Sequence, residues 1–391
     1  MFIRDLSTHG SVDGHWPEES LITREQIVMT RDFTFGIVGC GVIAPTHAGA
    51  IQQIEGARVV AAADIDHERA AEFARKFDIE AAYNSVEDLL KGCNCDAVCV
   101  CTPSGLHAEV ALKAMLAGKH VVIEKPMDVS TEACDLLIKT AKETGCKLTV
   151  ISQHRFDLGT RVAKQAIDSG KLGRIVLADA SVRWYRTQEY YDSGDWRGTW
   201  ALDGGGALMN QGVHTVDLLQ WLAGDVQSLT AHTSTATHER IETEDIAIAL
   251  LKFTNGALGS ITATTSAYPG FPVRIDVYGT EGSLVLEGDR LREMRLKSGE
   301  VYEGERAAAH ALSVAQGGTK SVEEEAVHAA GAAADPGALW GDSHRDQIID
   351  FIDAVTNDHA PQIDGTAARK PVAIIKAVYR SAKTGTSVIV D

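Results

Sequence analysis

Phe33-Thr34-Phe35-Gly36-Ile37-Val38-Gly39-Cys40-Gly41-Val42-Ile43-Ala44 is the stretch that decides the fold. An apolar strand runs into G-x-G-x-x-A, a helix-compatible segment follows, and a second apolar strand, Arg58-Val59-Val60-Ala61-Ala62-Ala63, ends at Asp64. That is the grammar of a dinucleotide-binding βαβ unit, in which glycines bring backbone N–H groups to a pyrophosphate at a helix N-terminus. Gly39 permits the tight turn, Gly41 opens the approach along Cys40, Val42 and Ile43, and Ala44 is small enough for close helix–strand packing. Asp64 would accept hydrogen bonds from the adenosine ribose hydroxyls. It is followed by Ile65-Asp66-His67, with no arginine before Arg69, so a 2′-phosphate would meet a carboxylate and NAD is expected over NADP. A glycine-rich turn in any α/β protein carries the same short pattern; the two flanking strands and the acid in register are what distinguish this one.

At 391 residues the chain exceeds one ordinary core, so two domains are expected. A hydrophobic fraction of 45% with 23% charged residues is that of a soluble globular protein, and no apolar run approaches a membrane span. With no export signal, a cytoplasmic location follows as the default. The formal net charge of −17 opposes nucleic acid and anionic lipid surfaces, so neither is expected as a partner. Seven cysteines fit reduced thiols. Cys93, Cys95, Cys99 and Cys101 crowd together, but C-x-C-x3-C-x-C is not a zinc-ribbon spacing and two of them lie in an apolar strand; no metal is expected.

Residues 1–32 are polar and aperiodic and read as a disordered leader. From Phe33 to residue 151 strands and helices alternate, which specifies a doubly wound parallel sheet. From 152 to 391 strands follow one another with turn signals such as Asn255-Gly256 and Glu281-Gly282 between them, so this half is α+β with a large, mostly antiparallel sheet. Within it a strand is expected over 174–187, Gly206 to Ala223 reads as a helix, and about 303–341, rich in Ala, Gly and Glu, as an irregular excursion. Two closing helices, near 343–357 and 366–383, are candidates to pack back on the first domain.

Two segments carry chemistry. Glu124-Lys125-Pro126 ends a strand at the carboxyl edge, where open α/β sheets place their ligands. Lys125 there suits a position beside a nicotinamide and a substrate oxygen, or is a surface lysine before a turn. Gly204-Gly205-Gly206 leads to Asn210, His214 and Asp217, which share one helical stripe. His214 is the side chain best matched to accept a proton near neutral pH, or is a core histidine satisfied by an aspartate.

These turns and motifs, with Thr102-Pro103 followed by His107, resemble the glucose–fructose oxidoreductase/inositol dehydrogenase/rhizopine-catabolism (Gfo/Idh/MocA) family from about Phe33 to the C-terminus. The resemblance implies a Rossmann domain, a second domain whose large sheet often forms the subunit interface, and NAD-linked hydride transfer at a secondary alcohol of a sugar, sugar acid or polyol. It implies Lys125 between cofactor and substrate hydroxyl, His214 as proton acceptor, and cofactor contacts from Thr102, Pro103, Ser104, His107 and Glu124. Asn210 stands where many members have aspartate, which favours a neutral hydrogen-bonding role; Ser104 stands where asparagine is common. Gln153, His154 and Arg155 open the second domain beside the cleft, with Gln153 and Arg155 as substrate contacts. Trp196 and Arg197 offer an aromatic face and a guanidinium fork to a sugar, or form a packed loop, and His344 either reaches the pocket or only starts a helix. A sheet with helices on one face leaves the other to be covered, so a homodimer or homotetramer is expected. Family relatives that sense NAD without turnover, or that use it transiently as glycosidases, are the rival expectations.

Overall fold

The computed structural model describes residues 31–304 and 342–391. The expected leader lies almost wholly outside the described residues, as does the Ala/Gly/Glu-rich excursion.

Six parallel strands form the first sheet: β1 (Phe33–Val38), β2 (Ala57–Ala63), β3 (Ala81–Tyr83), β4 (Ala97–Val100), β5 (His120–Ile123) and β6 (Leu148–Val150). Their order is β3-β2-β1-β4-β5-β6, so the winding reverses between β1 and β4 and opens a crevice at their carboxyl ends. Helices α1 (Ala44–Gln52), α2 (His67–Lys76), α3 (Val86–Gly92), α4 (His107–Leu116) and α5 (Thr131–Thr144) provide the crossovers. The three-residue β3 was too short to show a period. Cys95, Cys99 and Cys101 are buried, Cys93 is half-buried, and none of the seven cysteines is in a disulfide.

The second sheet has nine strands in the order β14-β13-β12-β11-β7-β10-β9-β8-β15. They are β7 (Ile175–Arg183), β8 (Val226–Ser234), β9 (Ile246–Phe253), β10 (Leu258–Thr264), β11 (Arg274–Gly279), β12 (Gly282–Glu287), β13 (Arg290–Leu296), β14 (Val301–Glu303) and β15 (Val388–Ile389). Every neighbouring pair is antiparallel except β7 with β10. Helices α6 (Leu158–Asp168), α7 (Gln188–Asp192), α8 (Val213–Ala223), α9 (Asp342–Thr356) and α10 (Gly365–Thr384) complete the chain. β13 escaped the sequence reading because Arg290-Leu-Arg-Glu-Met-Arg-Leu296 is mostly charged.

Two departures from the sequence expectations, and the placement of the two closing helices, matter for the site. The strand expected over 174–187 stops at Arg183, leaving Trp184 to Thr187 to lead into α7. The helix expected over 206–223 is a π-helix from Ala207 to Gly212 before it becomes α8. Finally, α9 packs on the first sheet, where Phe351 meets Phe33 and Phe35 at ring centroid distances of 6.4 and 6.5 Å, while α10 packs against α8, β8 and α5.

Candidate active site

The glycine-rich turn is built so that its backbone faces open space. Gly39 has φ +91°, and a Cβ there would come within 2.6 Å of the Cys101 carbonyl. At Gly41 a Cβ would meet nothing within 4 Å. Helix α1 has Ile43 as an N-cap without a side-chain bond and no acid in its first turn; Pro45 carries no N–H and the Thr46 N–H donates to the Ile43 carbonyl at 3.0 Å, so the partial positive charge of this helix end is left without a neutralising side chain. Asp64 is fixed by the Cys40 N–H (2.8 Å) and the Asp66 N–H (2.9 Å). Across the crevice Thr102 Oγ1 is buried without a hydrogen-bond partner among the described residues. An uncapped helix, an open turn and an anchored acid fit a dinucleotide: the turn for its pyrophosphate, Asp64 for the adenosine ribose.

The second wall is assembled from distant segments. Lys125 follows β5, its bond to Pro126 is cis, and its Nζ donates to the backbone O of Asn210 (2.9 Å) and to its Oδ1 (3.4 Å). Asn210 Nδ2 donates to Asp203 Oδ1 at 2.7 Å, and Asp203 Oδ2 accepts from the Gly198 N–H at 2.8 Å. A lysine, an amide and a carboxylate are thus chained together, with the acid one step farther out than a carboxylate at position 210 would be. Burial pushes Asp203 up to about 6 against the pull of Gly198, Asn210 and Lys125. Burial also lowers Lys125, with Glu124 and Asp203 opposing and Arg197 and Arg186 assisting. His214 stands one α-helical turn beyond Asn210 and is held well below the usual histidine value, by burial first and then by His154, Lys125 and His344, against Glu124. It is therefore neutral at neutral pH, ready to accept a proton.

The Gly204-Gly205-Gly206 run is steric. A Cβ at Gly205 would lie 2.0 Å from the Tyr379 hydroxyl and one at Gly206 2.0 Å from the Glu244 carbonyl oxygen. Glu244 caps the π-helix: its carboxylate accepts from the Gly206 N–H (3.0 Å), the Leu208 N–H (2.9 Å) and the Tyr379 hydroxyl (3.0 Å).

The other expected site residues lie as follows. Arg155, expected to bind substrate oxygens, is buried, donates through Nε to Asp217 Oδ2 (2.8 Å) and lies 5.2 Å from the Trp221 ring. Asp217, expected on the His214 stripe, is that arginine's partner. His107 presents no ring nitrogen to a cofactor; its two nitrogens lie 2.7 Å from the Pro126 carbonyl and 2.9 Å from that of Thr102, tying together the loops after β4 and β5. Ser104 is buried in the short 3-10 turn before α4. Glu124 and His344 meet behind Lys125. There Glu124 Oε1 lies 2.7 Å from His47 Nε2 and 3.9 Å from His344 Nε2, and the carboxyl is held well below its usual range, burial being outweighed by the two histidines. Gln153 is buried next to His154. Arg197 stacks between Trp196 (4.7 Å) and Tyr190 (4.3 Å) and donates to the Tyr190 hydroxyl at 2.6 Å. Asp203, Tyr190 and Glu244 were missed; Asp203 reads as an ordinary turn residue before glycine, and no local pattern marks the others.

Comparison with known proteins places this geometry. Residues 33–152 match the model of an oxidoreductase family with an NAD-binding Rossmann fold, and residues 160–285 match the GFO/IDH/MocA C-terminal domain. The chain belongs to the Gfo/Idh/MocA family of NAD-binding oxidoreductases. It is 31% identical over 276 residues to an uncharacterized oxidoreductase, sll0816, of Synechocystis, covering 67% of this chain and 73% of that protein. It is 28% identical to the myo-inositol 2-dehydrogenase of Thermotoga maritima, covering 65% and 75%. The WlbA dehydrogenase of Bordetella pertussis, solved with NADH and UDP-GlcNAcA, superposes with a TM-score of 0.80 at 33% identity over 93% of this chain and 99% of that one.

Proposed function

We propose that this protein is an NAD-dependent dehydrogenase of a secondary alcohol on a sugar, sugar acid or polyol, with His214 as proton acceptor and Lys125 as the group that holds the reacting oxygen. The observation that carries the reading is the 2.9 Å contact from Lys125 Nζ to the Asn210 carbonyl, which joins the E-K-P segment to the helix that bears His214. NAD, when bound, supplies the hydride acceptor. His214, neutral at working pH, takes the hydroxyl proton; Lys125 orients the oxygen and stabilises its developing negative charge; Asn210 and Asp203 hold Lys125 in place. The Bordetella relative, crystallised with a nucleotide-linked sugar acid, and the partly exposed Arg197 guanidinium beside this wall put acidic sugars at the head of the substrates to try. The purified full chain should reduce NAD with at least one member of a panel of inositols, sugars, sugar acids and nucleotide sugars, read at the NADH absorbance band. Release of free sugar without net NADH would instead identify a glycosidase, and tight NAD binding with no turnover of any substrate a sensor.

The outer face of the second sheet carries Ile248, Leu250 and Leu258 at 48%, 66% and 59% exposure. A second copy of the chain covers it in our reading, as an apolar sheet face of this size favours. Light scattering at micromolar concentration should give a dimer or tetramer, and Ile248→Lys with Leu250→Lys should reduce it to a monomer. A monomeric wild type overturns the assignment.

A further inference from the structure

Beside His214 sits an ion cluster that the reaction as described does not use. His154 lies in the short turn after β6, and its ring meets that of His214 edge to face, with centroids 5.1 Å apart and planes at 87°. On its other side Nδ1 is 2.7 Å from Asp157 Oδ2 and 3.8 Å from Asp289 Oδ1. Asp157 immediately precedes α6 and is itself bonded by the Ser343 hydroxyl at the start of α9. Asp289 comes from the second sheet, in the two-residue turn Gly288-Asp289 between β12 and β13, where it holds φ +63°. That left-handed conformation is uncommon for a residue with a side chain. The hairpin tip thus delivers a carboxylate to the site. Both acids approach the same nitrogen: the Nδ1–H is hydrogen-bonded to Asp157, and Asp289 at 3.8 Å adds a second negative charge rather than a second hydrogen bond.

We propose that His154 is a positioning residue for His214, a charged ring pinned between Asp157 and Asp289 and set against the base so that His214 meets the substrate hydroxyl with its accepting nitrogen bare. The proposal rests on the reading of His214 as proton acceptor. The groups facing His214 are His154, Lys125, Glu124 and His344; those facing His154 are Asp157, Asp289 and Asp217, the last already paired with Arg155. Burial by itself would discharge His154, but Asp289 and Asp157 overcome it and raise the ring to about 9. A cation fixed there opposes protonation of His214 before the alcohol arrives and helps it shed the proton afterwards. Asp289 is raised by burial and by Asp157 and lowered by His154, so its carboxyl and the His154 ring are coupled.

The test is a histidine NMR titration of the full-length protein without ligand, with His214 and His154 signals assigned by single substitution. In the wild type His154 should titrate near 9 and His214 should stay neutral well into the acid range. His154→Gln should raise the proton affinity of His214 about tenfold, the usual result of removing one like charge at contact range. Asp289→Asn keeps the His154 ring and suits the left-handed turn, because asparagine tolerates positive φ. It should lower the His154 midpoint and move His214 upward by a smaller amount, so the proposal stays testable if His154→Gln does not fold. An unchanged His214 midpoint in both variants, or a wild-type His154 midpoint at the ordinary histidine value, overturns it. So does a shifted His214 midpoint with no matching upward shift in the acid limb of kcat/KM. The titration needs no substrate, so failure to find any alcohol that is turned over would sink the proton-acceptor reading while leaving the coupling between the two rings measured.

Discussion

The turn at Gly39–Ile43 and the wall around Lys125 and His214 face one crevice, yet they are made in opposite ways. The turn works through backbone: a left-handed glycine, an uncapped helix and a single acid, all within 26 residues of chain from Gly39 to Asp64. The wall works through side chains from segments as far apart as Lys125 and Asn210, 85 residues along the chain, held by Asp203 and capped by Glu244. A site made of backbone is specified by where side chains must be absent, and short motifs record that. A site made of side chains depends on which tertiary partner each finds.

The largest effect separating the two regions should come from His214→Ala. A positioned general base is worth about 10²–10⁴-fold, so kcat should fall by that factor while NAD affinity stays near wild type. Lys125→Ala should also reduce turnover, with a modest loss of NAD affinity, and the double variant should be less damaged than the product of the two because they act as one unit. Near-normal turnover in His214→Ala would make that histidine structural and leave Lys125 as the base.

In the turn, Gly39→Ala should do what no change in the wall does. Its Cβ would press on the Cys101 carbonyl at 2.6 Å in a conformation strained for alanine, so stability should drop by about 1–3 kcal/mol and NAD affinity by tenfold or more. Gly41→Ala has room for its methyl in the free protein and should lower NAD affinity while leaving the melting temperature unchanged. Equal losses of stability in both variants, read by thermal melts and NAD titration, would remove the distinction between a steric and an approach glycine. Asp64→Ser should narrow the preference for NAD over NADP, chiefly through tighter NADP binding. Arg69 Nη1, 3.5 Å from Asp64, is then left to meet a 2′-phosphate, and comparable wild-type kcat/KM with both cofactors would refute the role of Asp64.

The same contrast explains what could be read in advance. β1, β2, the turn between them and Asp64 were legible because an apolar run, two glycines and one acid leave few alternatives. Lys125 and His214 were legible as motifs. Arg155 was read for a sugar because its chemistry suits one, and its ion pair was not foreseen because Asp217 lies 62 residues away and had been placed with His214. The π-helix was invisible: Ala207 to Gly212 carries ordinary helical residues, and the chain enters it through Gly205 and Gly206, where a Cβ would meet Tyr379 and Glu244. Asp203 gave no sign because its role exists only once Asn210 is beside it.

Glu244 offers the finest test of that wall. Burial raises its carboxyl to about 7, although the Leu208 and Gly206 N–H groups and the Tyr379 hydroxyl favour the charged form. An acid whose folded value lies above its ordinary 4.5 binds more protons in the folded than in the unfolded state between those two values. Stability is therefore greatest below the lower value and falls as pH rises through the window, levelling off above about 7. Glu244→Gln removes the titration, so the fall, on the order of 1–3 kcal/mol, should be missing from the variant's profile and appear as the difference between the two. Asp203 titrates with the same sign in both proteins and cancels in that difference. The variant is expected to be less stable at acid pH, because an amide nitrogen cannot accept the N–H bond a carboxylate oxygen took, and to approach the wild type as pH rises. Parallel stability profiles from pH 5 to 8 would mean that Glu244 stays ionised throughout, and that the turn capping the His214 helix is held by charge rather than by a shared proton.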